Sequence, residues 1–211
     1  MMGLNRAALI ARTIEEESRI FEDALHLLEN AVSQELASVR DRASKCDPSD
    51  HVEAQYLDAL SDEGWALEDR IFPTLYYGLL LSLYTEIEDC LLSLCCGYMQ
   101  ARSNLHQDTS RWGIRHVKDF LKRDVGVTIP DQGSEWQELV NFKNLRDCLA
   151  HRKGYLTAKE LNGALGTYIN QHSDLQVGKR DRVVIDRTYL EHMLEVARSF
   201  FTELREKLPS F

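Results

Sequence analysis

Residues 71–85 read IFPTLYYGLLLSLYT, at 15 residues the longest run without a charge in the chain. A helix that crosses a bilayer needs roughly 18 apolar positions. Glu86, Glu88 and Asp89 follow at once, so the run is read as buried rather than membrane-spanning. It is the first half of a longer pattern. Leu75, Leu79, Leu83, Ile87, Leu91, Leu94 and Tyr98 recur at three- and four-residue steps, and before Glu86 the sequence is apolar nearly all round. A helix buried on several sides reads this way. The spacing predicts a core helix that starts near Asp69 and keeps Pro73 in its first turn, where a missing N–H has no intrahelical acceptor to lose.

On the N-terminal side, Ile10, Ile14, Phe21, Leu25, Leu28, Val32, Leu36 and Val39 keep helical spacing with acids between them, predicting one helix from about Asn5 to Ala43. Its length exceeds the usual span, so part of it must pack on a partner or project. Asp47-Pro48-Ser49-Asp50 breaks the chain, and a short helix is expected over Glu53 to Leu60. On the C-terminal side a polar connection follows Asn104, then a helix over Ser110 to Arg123 with Ile114, Val117 and Leu121 on one face, then a loop from Gly126 to Gly133. Ser134-Glu135-Trp136-Gln137 has the pattern of a capping box opening a helix that Gly154 ends. Thr157 to Asn170 reads as a short helix or an irregular segment. Leu175-Gln176-Val177 and Arg182-Val183-Val184-Ile185 flank Gly178-Lys179-Arg180-Asp181 as a small hairpin. Asp186 is placed to cap a last helix carrying Leu190, Met193, Leu194, Ala197, Phe201, Leu204 and Leu208. The fold class is all-α: a helical bundle with a long N-terminal helix over residues 1–50, a helical domain over 51–211, and a small β-hairpin before the last helix.

Composition agrees with an ordinary globular chain. The 211 residues carry a net charge of −9, 44% hydrophobic residues, 11 Gly and 4 Pro, which excludes collagen-like, low-complexity and disordered classes. Five cysteines lack the spacing of a disulfide framework and the start lacks a signal-peptide pattern, so a reducing cytoplasm is expected. Charge is uneven. Residues 1–100 hold 7 basic and 19 acidic residues, a net of −12, whereas residues 111–153 hold 9 and 6, a net of +3. Broad non-specific binding of nucleic acid is disfavoured, and a local basic site is not. Metal-binding spacings, a phosphate-binding glycine loop and a serine-hydrolase elbow are all missing, so neither metal nor cofactor is expected. Cys95 and Cys96 read as small hydrophobes. Trp112, Trp136, Tyr76, Tyr77 and Tyr84 read as core, and His26 and His192 as surface or boundary residues.

The chemistry-bearing segment is Asn144-Leu145-Arg146-Asp147-Cys148-Leu149-Ala150-His151-Arg152-Lys153-Gly154. On a helix Arg146 and His151 lie about 140° apart in rotation and about 7.5 Å apart along the axis. Asp147 and His151, four apart, share a face, so the carboxylate can orient or charge the imidazole. A guanidinium fork, an imidazole and further cations at a helix end suit a phosphate.

This segment resembles the Arg-x4-His signature of HEPN domains, small helical proteins named for nucleotide binding in higher eukaryotes and prokaryotes. The likeness extends over roughly residues 70–208, through Tyr84-x-x-Ile87-Glu88, Ser134 to Leu139, Gly154 and Phe200-Phe201-x-x-Leu204. It implies a helical bundle that dimerises with two motifs meeting at the interface. It also implies metal-independent endoribonuclease activity, as in toxin–antitoxin and phage-defence systems, or a member that has lost the chemistry and binds nucleotides, RNA or proteins. In that frame His151 transfers protons, Arg146 holds the phosphate, Asp147 orients, and Lys143, Arg152 and Lys153 hold the RNA backbone. Partners are RNA, a second copy and an antitoxin or regulatory protein. Two departures stand out. Lys153 occupies the place of the tyrosine that partner nucleotidyltransferases modify in some of these toxins, with Tyr155 two residues further on, and Asp147, at a position that is Asn, Asp or His in many members, leaves open whether it positions the histidine as an asparagine does. Glu88 is open between a carboxylate at the core edge and one facing the cleft. The first fifty residues are open between extending the dimer, covering the cleft and binding a neutralising partner.

Overall fold

The uncharged run forms the first half of α3 (Phe72–Ala101) in a computed structural model that describes residues 6–101, 107–110, 112–127 and 129–208, with side chains from Arg12 onward. Leu80, Leu83, Tyr84, Ile87, Leu91, Leu94, Cys95 and Tyr98 of α3 are buried in the main core. Each large apolar side chain so buried contributes about 1.5–3 kcal/mol. No helix among the described residues is long and apolar enough to cross a membrane.

Pro73 does not open a new helix. α2 (His51–Ala66) runs through a π turn (Leu67–Ile71) directly into α3. The Phe72 N–H bonds the Leu67 carbonyl, five residues back, and Pro73 comes next with no N–H to offer. Its ring would crowd the carbonyl four residues before it, and the wider turn makes room. The short helix expected at Glu53 to Leu60 and the start expected near Asp69 are therefore both corrected. α2 begins at Asp50, whose Oδ1 accepts from the Val52 N–H at 2.8 Å and the Glu53 N–H at 3.1 Å.

α1 (Arg6–Ser44) is the long N-terminal helix, and its two halves pack differently. Ile14, Phe21 and Leu25 enter the main core, while Val32 and Val39 join Leu60 and Leu67 in a smaller one. The first half lies antiparallel to α3 and to α8 (Arg187–Lys207). Glu29 accepts from Tyr76 at 2.8 Å and meets Arg187 at 2.6 Å, and Glu22 meets Arg198 at 2.7 Å. The second half pairs with α2 across the Asp47-Pro48 turn, with Arg42 2.9 Å from Glu63 and Arg40 3.2 Å from Glu68. From Ile14 to Val39, α1 thus packs into the same cores as the rest.

α4 (Ile114–Phe120) starts at Gly113, later than the expected Ser110, and continues as a π turn (Leu121–Val125) ended by Gly126 at φ +82°. The polar connection expected after Asn104 lies partly outside the described residues. α5 (Ser134–Arg152) has no capping box at its start. Gly133 is the N-cap, the Gln137 N–H bonds the Gly133 carbonyl at 3.4 Å, and Ser134 Oγ turns to Glu135 at 3.1 Å. A capping box does form at Thr157, whose side chain and backbone exchange bonds with Glu160 to open α6 (Ala158–Leu161). α7 (Ala164–Gln171) follows. The hairpin is as expected: β1 (Leu175–Val177) pairs antiparallel with β2 (Val183–Ile185), Leu175 opposite Ile185. Asp186 takes the N-cap backbone position of α8 without a side-chain bond to the helix. The architecture is an all-α bundle with one small antiparallel hairpin before its last helix.

Candidate functional site

α5 carries the Arg-x4-His segment, and its inner face is fixed by Trp136, Leu139, Phe142, Leu145, Cys148 and Leu149, all buried. Phe142 meets Tyr84 of α3 edge-on, ring centroids 5.4 Å apart, which sets these two helices against each other. Arg146 therefore projects along α3 and lands in an ion cluster. Its Nη2 is 3.1 Å from Glu88 Oε2, its Nη1 is 3.0 Å from Asp147 Oδ1, and its guanidinium lies 4.3 Å from the centre of the Tyr84 ring. Lys143 Nζ takes the other Asp147 oxygen at 2.7 Å. Two cations and two anions close on one another, with the Arg146 side chain 23% exposed. Arg146 Nε and the Tyr84 hydroxyl are buried and have no hydrogen-bond partner among the described residues. Burial raises the Glu88 carboxyl above its ordinary value, outweighing the nearby Tyr84 hydroxyl and the Arg146 and Lys143 charges. Burial likewise raises the Tyr84 phenol.

The structure thus brings Lys143, Arg146 and Asp147 together with Glu88, which settles at the edge of the core. Asp147 spends both oxygens on Lys143 and Arg146 and makes no hydrogen bond or ion pair with His151. His151 is exposed in the last turn of α5 and makes no hydrogen bond or ion pair among the described residues. Arg152 is turned away into an ion pair with Glu160, and its Nε donates to the Tyr155 carbonyl at 3.3 Å. Hydrogen bonds from Thr157 and the Arg152 charge hold the Glu160 carboxyl below its ordinary value, against the opposing and largest single effect of burial. Lys153 is exposed at φ +55° and ends the helix, its N–H bonding Leu149 and that of Gly154 bonding Cys148. Gly154 sits at φ +83°, and a Cβ there would lie 2.7 Å from the Tyr77 hydroxyl oxygen. Only glycine satisfies both conditions.

A second polar cluster, which sequence reasoning missed, ties the first half of α5 to α7 and α8. Tyr168 donates to Glu138 Oε2 at 2.8 Å, so the Tyr189 hydroxyl, 2.9 Å from Tyr168, donates to it in turn. His172 lies 3.5 Å from Glu138 and 3.6 Å from Asp174, and His192 Nε2 lies 3.8 Å from Glu138. The only signal in the sequence was histidine on an amphipathic helix, which a boundary position equally explains. No group of three or more His, Cys, Asp or Glu among the described residues is disposed to hold a metal ion. His26 is exposed and pairs with Asn30, and His116 is exposed. Burial pushes the Cys90 and Cys95 thiols up to about 11 and about 12, away from nucleophilic thiolates.

The arrangement combines a fixed, charge-balanced arginine cluster with an unengaged imidazole at the end of the same helix. No protein-family model, curated protein or solved structure matches the chain.

Proposed function

We propose that the chain is a metal-independent endoribonuclease of HEPN type, a toxin or defence effector of the cytoplasm that works as a homodimer. The observation that carries the reading is the exposed, unengaged imidazole of His151, on the same helix as an arginine that Glu88, Asp147 and Tyr84 hold in place. One His151 takes the proton from a ribose 2′-hydroxyl as O2′ bonds to phosphorus. The P–O5′ bond breaks, and the His151 of a second copy delivers a proton to O5′. The products are a 2′,3′-cyclic phosphate and a free 5′-hydroxyl. Arg146 faces the charge that grows on phosphorus. Asp147, anchored by Lys143, holds Arg146 in register, and Lys153 flanks the strand, while Arg152 is held back by its ion pair with Glu160. This assignment makes Asp147 a partner of Arg146 before it is a partner of His151.

A second reading rests on a specific contact. Both Nη atoms of Arg146 are engaged by carboxylates, as in a purely structural ion pair, and this favours a non-catalytic module that binds nucleotide, RNA or protein. Incubation of total cellular RNA with wild type and His151→Ala in excess EDTA separates the two. Cleavage by wild type alone, leaving 2′,3′-cyclic phosphate ends, is expected. No cleavage by either protein, or equal cleavage by both, contradicts the nuclease reading.

A further inference from the structure

Beyond the motif, a cleft of about 570 Å³ lies between the π turn that joins α2 to α3 and the β-hairpin. Tyr77 lines it, and Trp65 and Tyr155 stand in it 50% and 43% exposed. Four cations line it, Arg70, Lys179, Arg180 and Arg182, against one acid, Asp69. Among the described residues none of the four pairs with a carboxylate, although Arg40, Arg42, Arg146, Arg152, Arg187 and Arg198 all do. Two of them, Arg70 and Arg182, sit by the rings instead. The Arg70 guanidinium is 4.9 Å from the Trp65 ring centre, and that of Arg182 is 5.0 Å from Tyr77 and 5.8 Å from Tyr155. In a chain with a net charge of −9, cations left unpaired around exposed rings mark a surface selected for an anion with a flat face.

The cleft is stitched to the end of α5. Arg182 Nε donates to the Lys153 carbonyl at 3.3 Å, the Val183 N–H to the Gly154 carbonyl at 2.9 Å, and the Leu156 N–H to the Asp181 carbonyl at 2.9 Å. Tyr155, in its wall, lies four residues beyond His151. Aromatic faces interleaved with cations are how proteins hold single-stranded nucleic acid: bases stack on the rings and phosphates track the charges. The volume suits a nucleotide-sized group. An acidic protein segment would satisfy the cations and leave the rings without stacking partners.

We infer that this cleft binds single-stranded RNA, with a base stacked on Trp65 or Tyr155 and its flanking phosphates on Arg70, Lys179 and Arg180, and leads the strand to the end of α5. The inference rests on the nuclease reading for its substrate class and extends it to residues outside the motif.

The test is fluorescence anisotropy of a labelled single-stranded 12-nucleotide RNA of mixed sequence, bound by the full chain carrying His151→Ala in EDTA so that the strand stays intact. Added to that background, Arg70→Glu with Lys179→Glu is expected to weaken binding at least tenfold and to flatten the log–log salt slope by about 1.4, two phosphate contacts' worth. Trp65→Ala is expected to weaken it roughly tenfold and Trp65→Tyr to restore it. The same charge reversal at Arg19 on α1 and at Lys45 in the turn after it is expected to change it far less. Unchanged affinity and slope in the Arg70/Lys179 variant overturn the inference. So does duplex RNA binding as tightly as the single strand, or uridine monophosphate competing as well as the strand per nucleotide. A Trp65→Ala variant that turns a dimer into a monomer while keeping its RNA affinity assigns the cleft to a second copy and also overturns it. Binding that depends on the cleft without cleavage by the wild type removes the nuclease reading and leaves the cleft. Cleavage with cleft-independent binding does the reverse.

Discussion

The two ends of one helical segment teach different things. Around Arg146 the side chains are half-buried and answer one another: Glu88, Asp147 and Lys143 close the charge, and Tyr84 receives the guanidinium on its face. Around His151 the helix ends in exposed residues, a left-handed cap and a basic, aromatic cleft. Charges that have partners hold structure together, and side chains without partners are available to a ligand. The Arg-x4-His spacing joins the two regimes, so each half of the motif answers to a different measurement.

The inner region is broken most deeply at Arg146. Arg146→Ala removes the ring contact and leaves Glu88 half-buried without its strongest counter-charge, so a loss of about 2 kcal/mol in urea unfolding is expected, less than for a fully buried pair. At the junction of the two regions, Gly154→Ala places a side chain at φ +83° against Tyr77, and a loss of about 1–2 kcal/mol is expected from the same measurement. Further out, Thr157→Ala removes the capping box beside Arg152 and is expected to cost about 1 kcal/mol.

Acid titration gives the smallest effect and separates the regions by sign. Glu160 is held below its ordinary value of 4.5, so the stability it adds is present above that value and lost as pH falls through its folded value. Glu88 is raised above 4.5, so the folded state binds its proton more tightly, and its contribution is fullest below 4.5 and declines as pH climbs through its folded value. Unfolding midpoints from about pH 3 to about pH 7 should show a shallower acid limb in Glu160→Gln and a shallower decline above pH 4.5 in Glu88→Gln. Like slopes in both variants erase the distinction.

The long helix, the buried α3, the hairpin and the last helix were legible because each is written in local periodicity. Pro73 shows where that ended. A proline near an apolar run reads as a helix start, and the π turn before it, which periodicity does not announce, carries α2 on into α3. Ser134 and Thr157 divide for a similar reason. Both head capping-box patterns, and the box forms where Glu160 also meets Arg152, while α5 starts from Gly133.

At the site, helical spacing allowed Asp147 to face His151, and Glu88 was singled out without a partner; only the fold brings it to Arg146, 58 residues later in the chain, where it helps draw the inner cluster closed. The cleft was beyond reach altogether. Trp65, Tyr155 and Lys179 belong to three separated segments that only the fold brings together.

In the proposed reading Arg146 is both held in the fold and set against the phosphate, whereas His151 serves the reaction alone. That division is tested most directly by measuring, on the same preparations of wild type, Arg146→Ala and His151→Ala, both the unfolding free energy and the rate of cleavage of one labelled RNA in EDTA. For His151→Ala the account predicts at least a 100-fold loss of rate with stability within about 0.5 kcal/mol of wild type. Undiminished cleavage by His151→Ala, or a stability loss matching that of Arg146→Ala, would contradict it.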